Sequence, residues 1–139
     1  MEKVYRLCRK NRVAAAVVEL AIVLPLFLLL VLGMIEFGRM IMVQQIITNA
    51  SREGARRAVL DKATAQEITN LLQQYLSNSG IQGATVTVSP NPPSSAGYGE
   101  PVRVTVSVPF NQVSWLPAPI FLGGRVLTST TAMRRETVQ

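Results

Sequence analysis

The chain has 139 residues and a formal net charge of +6, and after an apolar N-terminal run its length leaves room for one modest domain. It contains no histidine, and its one cysteine, Cys8, excludes an intrachain disulfide. The net charge is +4 in residues 1–12, −2 in the apolar region with Glu19 and Glu36, and +4 in residues 37–139. Because nothing clusters like a phosphate-binding face, we predict no nucleic acid partner.

A basic leader precedes the long apolar run. Residues 1–13 carry five Lys or Arg side chains and one acid, whereas the ionisable groups of residues 14–36 are Glu19 and Glu36. At ~1.5 Å per residue, a helix of that length covers the ~30 Å hydrocarbon core of a bilayer. We therefore predict a cytoplasmic leader at residues 1–13 and a transmembrane helix at residues 14–36. The positive-inside rule places the remaining chain outside the membrane.

Glu19 is unusual because it places a carboxylate inside the apolar run. An unpaired charge there costs on the order of 2.5 to 3.5 kcal/mol at the helix centre, and less towards the interface. Two explanations are open: a partner charge on a neighbouring molecule, or a side chain that reaches the lipid headgroups on the cytoplasmic side. Pro25 marks a break or kink in the same helix, which a membrane helix tolerates.

The helical pattern continues without a turn signal beyond the apolar run, so residues 37–79 are predicted as its extracytoplasmic continuation. Apolar residues recur there at spacings of three and four, which indicates one buried helical face. They are Val43, Ile47, Ala50, Gly54, Ile68, Leu71, Leu72, Tyr75 and Leu76. A break near residues 60–65 is left open, with Asp61 or Thr64 as a cap and Glu67 completing a capping box with Thr64.

Charged residues on this helix fall at neighbouring positions. Glu36 with Arg39, and Arg52 and Arg56 around Glu53, are predicted to form charge pairs on a solvated helix surface. The alternative is that these side chains contact another subunit or an assembly platform.

After Gly83 the pattern changes to the alternation of β-strands, which defines a β-rich head over residues 80–139. Strands are predicted at residues 84–89, 101–110 and 125–133, joined by loops of proline and glycine. The clearest strand turns four valines inward: Val102, Val104, Val106 and Val108. A long N-terminal helix followed by a small antiparallel three-stranded sheet is an α+β fold.

The segment 111–124 is predicted as an irregular loop that carries Trp115. Trp115 either fills the core beneath this loop or lies exposed as an anchor at an interface, and the core position is favoured. The extracytoplasmic part has no histidine or cysteine and five scattered acids, which is too few groups for a nucleophile with its base or for a metal cluster. We predict no catalytic residue, no metal and no cofactor.

Four segments together resemble the TadE-like family, whose members are minor pilins or pseudopilins of tight-adherence (Flp-type) pilus systems. These segments are AAAVVELAIVLP at residues 14–25, EFGR at residues 36–39, ASREGAR at residues 50–56 and TSTTAMRRE at residues 128–136. The resemblance implies a type IV pilin-like fold in the bacterial inner membrane, with a place in a surface pilus.

The resemblance also implies roles for residues of the apolar run. A prepilin peptidase would cut between Ala14 and Ala15, where the family usually has glycine at the first position. Glu19 would then set the register of packed helices by pairing with the new amine of a neighbouring subunit. Other pilin-like subunits, the assembly platform and the lipid bilayer are the implied partners. The alternative is a permanently signal-anchored binding or scaffold protein that enters no filament.

Overall fold

The computed structural model describes residues 2–136, with side chains from residue 14 onwards, so the side chains of the predicted leader at residues 1–13 lie outside the described part. The chain divides between residues 35 and 36 into two compact units. The first helix, α1 (Glu2–Ala58), contributes residues to both units. Each unit is described separately below.

The first unit is the apolar part of α1. Most of its large side chains from Val17 to Ile35 are exposed within the chain, including Ile22 and Leu26. Among the described residues, this is the one helix whose length and composition suffice to cross a membrane, with a mean hydropathy of 2.8 in its most apolar window. Such a surface indicates a membrane anchor, because water would not solvate it well.

The second unit begins with the remainder of α1, which ends at Ala58. The second helix, α2 (Ala65–Asn78), starts after a short turn. Thr64 accepts a hydrogen bond from the Glu67 amide at 3.2 Å, and the Glu67 carboxylate accepts one from the Thr64 amide at 3.3 Å. This reciprocal capping box explains why α2 starts there, and it resolves the question left open by the sequence.

The three strands are β1 (Thr85–Ser89), β2 (Pro101–Pro109) and β3 (Val126–Arg134). They form one antiparallel sheet in the order β1, β2, β3, in which Val104 lies opposite Val88 and Thr131. Short 3-10 turns at Pro93–Ser95 and Phe110–Gln112 belong to the two connecting loops. The predicted α+β fold, with a long N-terminal helix and a three-stranded antiparallel sheet, is confirmed.

The core of this unit lies between the two helices and one face of the sheet. The four inward valines of β2 are fully buried, and they share a cluster with Val43 and Ile47 of α1 and with Leu72 of α2. Gly54 lets α1 lie close to α2 and β2: a Cβ atom there would lie 2.7 Å from Leu72 Cδ1 and 2.9 Å from Val104 Cγ1.

Two details of the predicted helical face are wrong. Leu71 and Tyr75 of α2 are exposed, whereas Ile68, Leu72 and Leu76 carry its buried side. A helix of only 14 residues that leans on a three-stranded sheet buries a narrow stripe, so residues beside that stripe remain in solvent.

Candidate functional site

The residues predicted for processing and assembly all lie on the apolar part of α1. Ala14, Ala15 and Glu19 are exposed helical residues of the first unit. Because Ala15 and Glu19 are four positions apart, they occupy the same face of the helix. α1 runs on through Pro25, whose ring nitrogen cannot donate, so the carbonyl of Ala21 lacks its usual helical donor.

Glu36, the first residue of the second unit, is bound by a loop of the head. Its carboxylate accepts hydrogen bonds from three successive backbone amides: Ile120, Phe121 at 2.9 Å and Leu122 at 3.0 Å. The residue is only 1% exposed. Three converging amides satisfy a buried carboxylate, which would otherwise be costly to desolvate.

Arg39 lies three residues further along α1 and is buried by the same loop. Its Nε donates to the backbone carbonyl of Val113 at 2.8 Å, and its Nη1 lies 3.4 Å from Met42 Sδ. The guanidinium carbon is 5.0 Å from the centre of the Trp115 ring, a cation–π distance. Arg39 therefore holds the first half of the loop, while Glu36 holds the second.

Two sequence predictions differ from this geometry. Glu36 and Arg39 were expected to pair with each other on a solvated surface, but each is buried and bonds to the loop backbone. The amides and the carbonyl of a closed loop satisfy these charges, whereas an exposed pair at this spacing contributes only a few tenths of a kcal/mol. Trp115 was expected in the core, yet it is 65% exposed and only one face is covered by Arg39.

The loop over residues 110–124, called here the apolar loop, is also held by hydrogen bonds at its base and by buried side chains. The Phe110 amide donates to the Arg125 carbonyl at 2.8 Å, which closes the loop at its base. The Asn111 side chain accepts from the Gly124 amide at 3.0 Å. Phe110, Val113 and Leu122 are buried beneath it and belong to the core. The loop is thus an ordered part of the head.

The other predicted charge cluster lies further along α1 on an exposed surface. Arg56 binds the Glu53 carboxylate through two nitrogens, both at 2.9 Å, and Arg57 adds a third contact at 3.0 Å. These arginine hydrogen bonds lower the pKa of Glu53 to about 2. Arg52 is exposed, and among the described residues it forms no ion pair with Glu53.

Sequence reasoning missed a polar contact between α1 and β3. Ser51 is fully buried and donates to the Thr48 carbonyl at 2.9 Å, so its oxygen is free to accept from Ser129 at 3.1 Å and Thr131 at 2.8 Å. Gln44 donates to the Thr128 carbonyl at 3.2 Å. The signal was present as a run of Ser and Thr in β3, on a strand whose inward positions are normally apolar.

The predicted site residues do not form one pocket. Ala14, Ala15, Glu19 and Pro25 belong to the apolar helix, Glu36 and Arg39 hold the apolar loop, and Arg52, Glu53 and Arg56 lie on the surface near the end of α1. The predicted residues therefore fall into three separate groups along the sequence.

Comparison with known proteins yields one match. A family model described as TadE-like protein matches residues 14–56, a range that contains every residue predicted above for processing, register or charge contacts. No curated protein and no solved structure matches the chain. The family is associated with tight-adherence pili and is not known for enzymatic activity, and the resemblance read from the sequence is confirmed over this segment. Residues 14–56 are therefore similar to the TadE-like family, which is the one family that these comparisons support for this chain.

Proposed function

We propose that this protein is a minor pilin or pseudopilin, anchored in the bacterial inner membrane, that takes part in assembling a tight-adherence pilus without catalysing a reaction. Its basic leader at residues 1–13 lies in the cytoplasm, residues 14–36 cross the membrane, and residues 37–79 with the β-rich head at residues 80–139 lie outside. The asymmetry of the flanking charges supports this orientation.

One observation carries the proposal: a TadE-like helix whose apolar surface is interrupted near its start by a single carboxylate, Glu19. An unpaired carboxylate does not stabilise a helix in lipid, and removing that carboxylate from water is unfavourable. Its conservative explanation, contact with headgroups, accounts for the charge but not for its place five residues after Ala14.

Processing gives Glu19 a partner. Cleavage by a prepilin peptidase between Ala14 and Ala15 creates an ammonium group at Ala15, next to the cytoplasmic surface of the bilayer. The Glu19 carboxylate of a neighbouring subunit pairs with this amine, and the low dielectric constant makes a missed pairing costly. Helices that slide out of register leave both charges unpaired, so the pair defines the axial position of each subunit.

Glu19→Ala tests this role in cells that assemble the pilus. We expect the variant to insert in the membrane at the normal level, because the substitution removes an unfavourable group, and to disappear from sheared filaments. Leu20→Ala is the matched control, since it shortens the adjacent exposed side chain without changing charge. Normal incorporation of Glu19→Ala would leave headgroup contact as the explanation of this residue.

A second candidate function is a permanent membrane anchor that presents the head as a scaffold or binding module. Ala14 favours it, because alanine stands where the family usually has glycine. The two candidates differ in the mature N-terminus, which begins at Ala15 after processing and at Met1 without it. They also differ in location, since an anchor stays in the membrane fraction after filaments are sheared off.

A further inference from the structure

The apolar loop exposes large apolar side chains although it is firmly held. Trp115 is 65% exposed, Ile120 54% and Phe121 50%. The sequence from Val104 to Gly124 contains no Asp, Glu, Lys or Arg. A loop in water normally displays polar and charged side chains, so an ordered, uncharged loop with three exposed apolar anchors indicates a surface that is covered in use.

Several backbone groups of this loop form hydrogen bonds with the protein and do not depend on water. The amides of residues 120–122 donate to Glu36, and the carbonyl of Val113 accepts from Arg39. Unsatisfied peptide groups cost several kcal/mol in a lipid environment, which is why irregular backbone avoids it unless the protein supplies partners. Here α1 supplies such partners to the amides of residues 120–122, which include two of the exposed apolar residues, and to the carbonyl of Val113.

The position of Glu36 and Arg39 along α1 indicates that lipid headgroups surround these contacts. Glu36 directly follows the apolar run, and Arg39 is ~4.5 Å further along the helix at ~1.5 Å per residue. A bilayer measures ~30 Å across its hydrocarbon and ~40 to 45 Å with its headgroup layers, so a helix leaving the hydrocarbon at residue 35 passes Glu36 and Arg39 within the headgroup layer. Phe37 and Ile41 are also exposed there.

We propose that the apolar loop inserts Trp115, Ile120 and Phe121 into the outer headgroup layer of the membrane crossed by residues 14–36. Tryptophan prefers this depth, because its ring is apolar and its indole N–H finds polar partners among headgroups. The partner is lipid because the loop is bound to Glu36 and Arg39, and these residues directly follow the membrane segment in the chain. This inference rests on the proposed membrane anchor.

The chain's single tryptophan makes the contact measurable. The full chain is reconstituted in phosphatidylcholine vesicles, with or without bromine atoms near the top of the acyl chains, and Trp115 fluorescence is compared. We expect a loss of fluorescence in brominated lipid, together with a blue-shifted emission, and both effects are expected at every protein-to-lipid ratio. Ile120→Ser combined with Phe121→Ser is expected to reduce the quenching.

A control moves the tryptophan to the other end of the sheet. Tyr98 is 72% exposed in the loop before β2, and the nine residues of β2 separate it from the apolar loop by roughly 30 Å at ~3.3 Å per residue. The double variant Trp115→Phe, Tyr98→Trp is therefore expected to fluoresce equally in both lipids.

Three results would overturn the inference or its basis. Equal fluorescence of the wild-type chain in both lipids means that Trp115 stays in water. Protection of Trp115 from acrylamide that grows with protein concentration, without quenching by bromine, means that another subunit covers the loop. Failure of the chain to float with the vesicles removes the membrane anchor itself, and this outcome separates failure of the proposed function from failure of the loop contact.

Discussion

Glu36→Ala is predicted to release the apolar loop from α1 while leaving the helix and the sheet intact. The substitution removes the acceptor of three backbone amides, those of residues 120–122, and alanine is a better helix former than glutamate. The loop is still closed at its base by the bond between the Phe110 amide and the Arg125 carbonyl. The expected change is therefore a local opening of residues 120–122.

The magnitude follows from the environment of each amide. Hydrogen bonds to a charged group contribute ~1.5 to 3 kcal/mol, and less where water can replace the acceptor. Leu122 is buried, whereas Ile120 and Phe121 are half exposed. The hydrogen bond of Leu122 therefore contributes its full free energy to holding the loop, and the other two contribute only part of theirs. A total of ~3 kcal/mol corresponds to roughly 100-fold faster local opening. Glu36→Gln keeps one acceptor oxygen, so its expected effect is about tenfold.

Hydrogen exchange measured by mass spectrometry on the full chain in lipid nanodiscs reports this opening directly. Glu100→Ala is the matched control: its carboxylate accepts one backbone amide, that of Gly97, at 2.9 Å in the loop at the other end of β2. It should accelerate exchange at Gly97 and leave residues 120–122 unchanged. If Glu36→Ala accelerates residues 120–122 no more than Glu100→Ala does, then Glu36 does not hold the loop.

Three further substitutions test the packing and capping of the head by thermal unfolding of the full chain in detergent micelles. Gly54→Ala forces a Cβ to within 2.7 Å of Leu72 Cδ1 and should be less stable than Gly38→Ala, whose Cβ meets open space, by ~1 to 3 kcal/mol. Equal midpoints for these two would show that the helices can separate at no cost. Thr64→Ala removes the first-turn cap of α2 and should cost ~1 kcal/mol, and an unchanged midpoint would mean that tertiary packing alone starts that helix. Glu53→Gln tests the pH dependence of stability. The pKa of Glu53 in the folded chain is about 2, below the ordinary value of 4.5. The Glu53 carboxylate therefore stabilises the fold fully above pH 4.5, and this contribution is lost as the pH falls to about 2. The difference between wild type and Glu53→Gln is expected to be a few tenths of a kcal/mol for so exposed a cluster, and to shrink as the pH falls towards 2. A difference that is as large at pH 2 as at pH 7 would exclude the charge as its source.

Much of the fold could be predicted because its local patterns agree with its packing. Alternating valines in β2 are buried on one side of a sheet, and the Thr64 and Glu67 spacing marks the start of α2. The apolar composition near the N-terminus marks a helix that is long and apolar enough to cross a membrane. In each case residues close in sequence determine the element, so no distant partner had to be known.

The contacts of Glu36, Arg39 and Trp115 could not be predicted, because their partners lie about 75 to 85 positions away in sequence. Local spacing suggested a pair between Glu36 and Arg39, and it offered no sign that backbone amides of a distant loop would satisfy the acid instead. The same loop keeps Trp115 outside the core, since Phe110, Val113 and Leu122 already fill the space beneath it. Irregular loops have no period from which such an arrangement can be read.

The measurement that bears most directly on the proposed pilus role is mass spectrometry of the N-terminal peptide in two fractions, sheared filaments and membranes. The account predicts chains that begin at Ala15 in the filament fraction, with Glu19 as their fifth residue. Chains that begin at Met1 and occur only in membranes would contradict it, and would identify the protein as a permanent anchor.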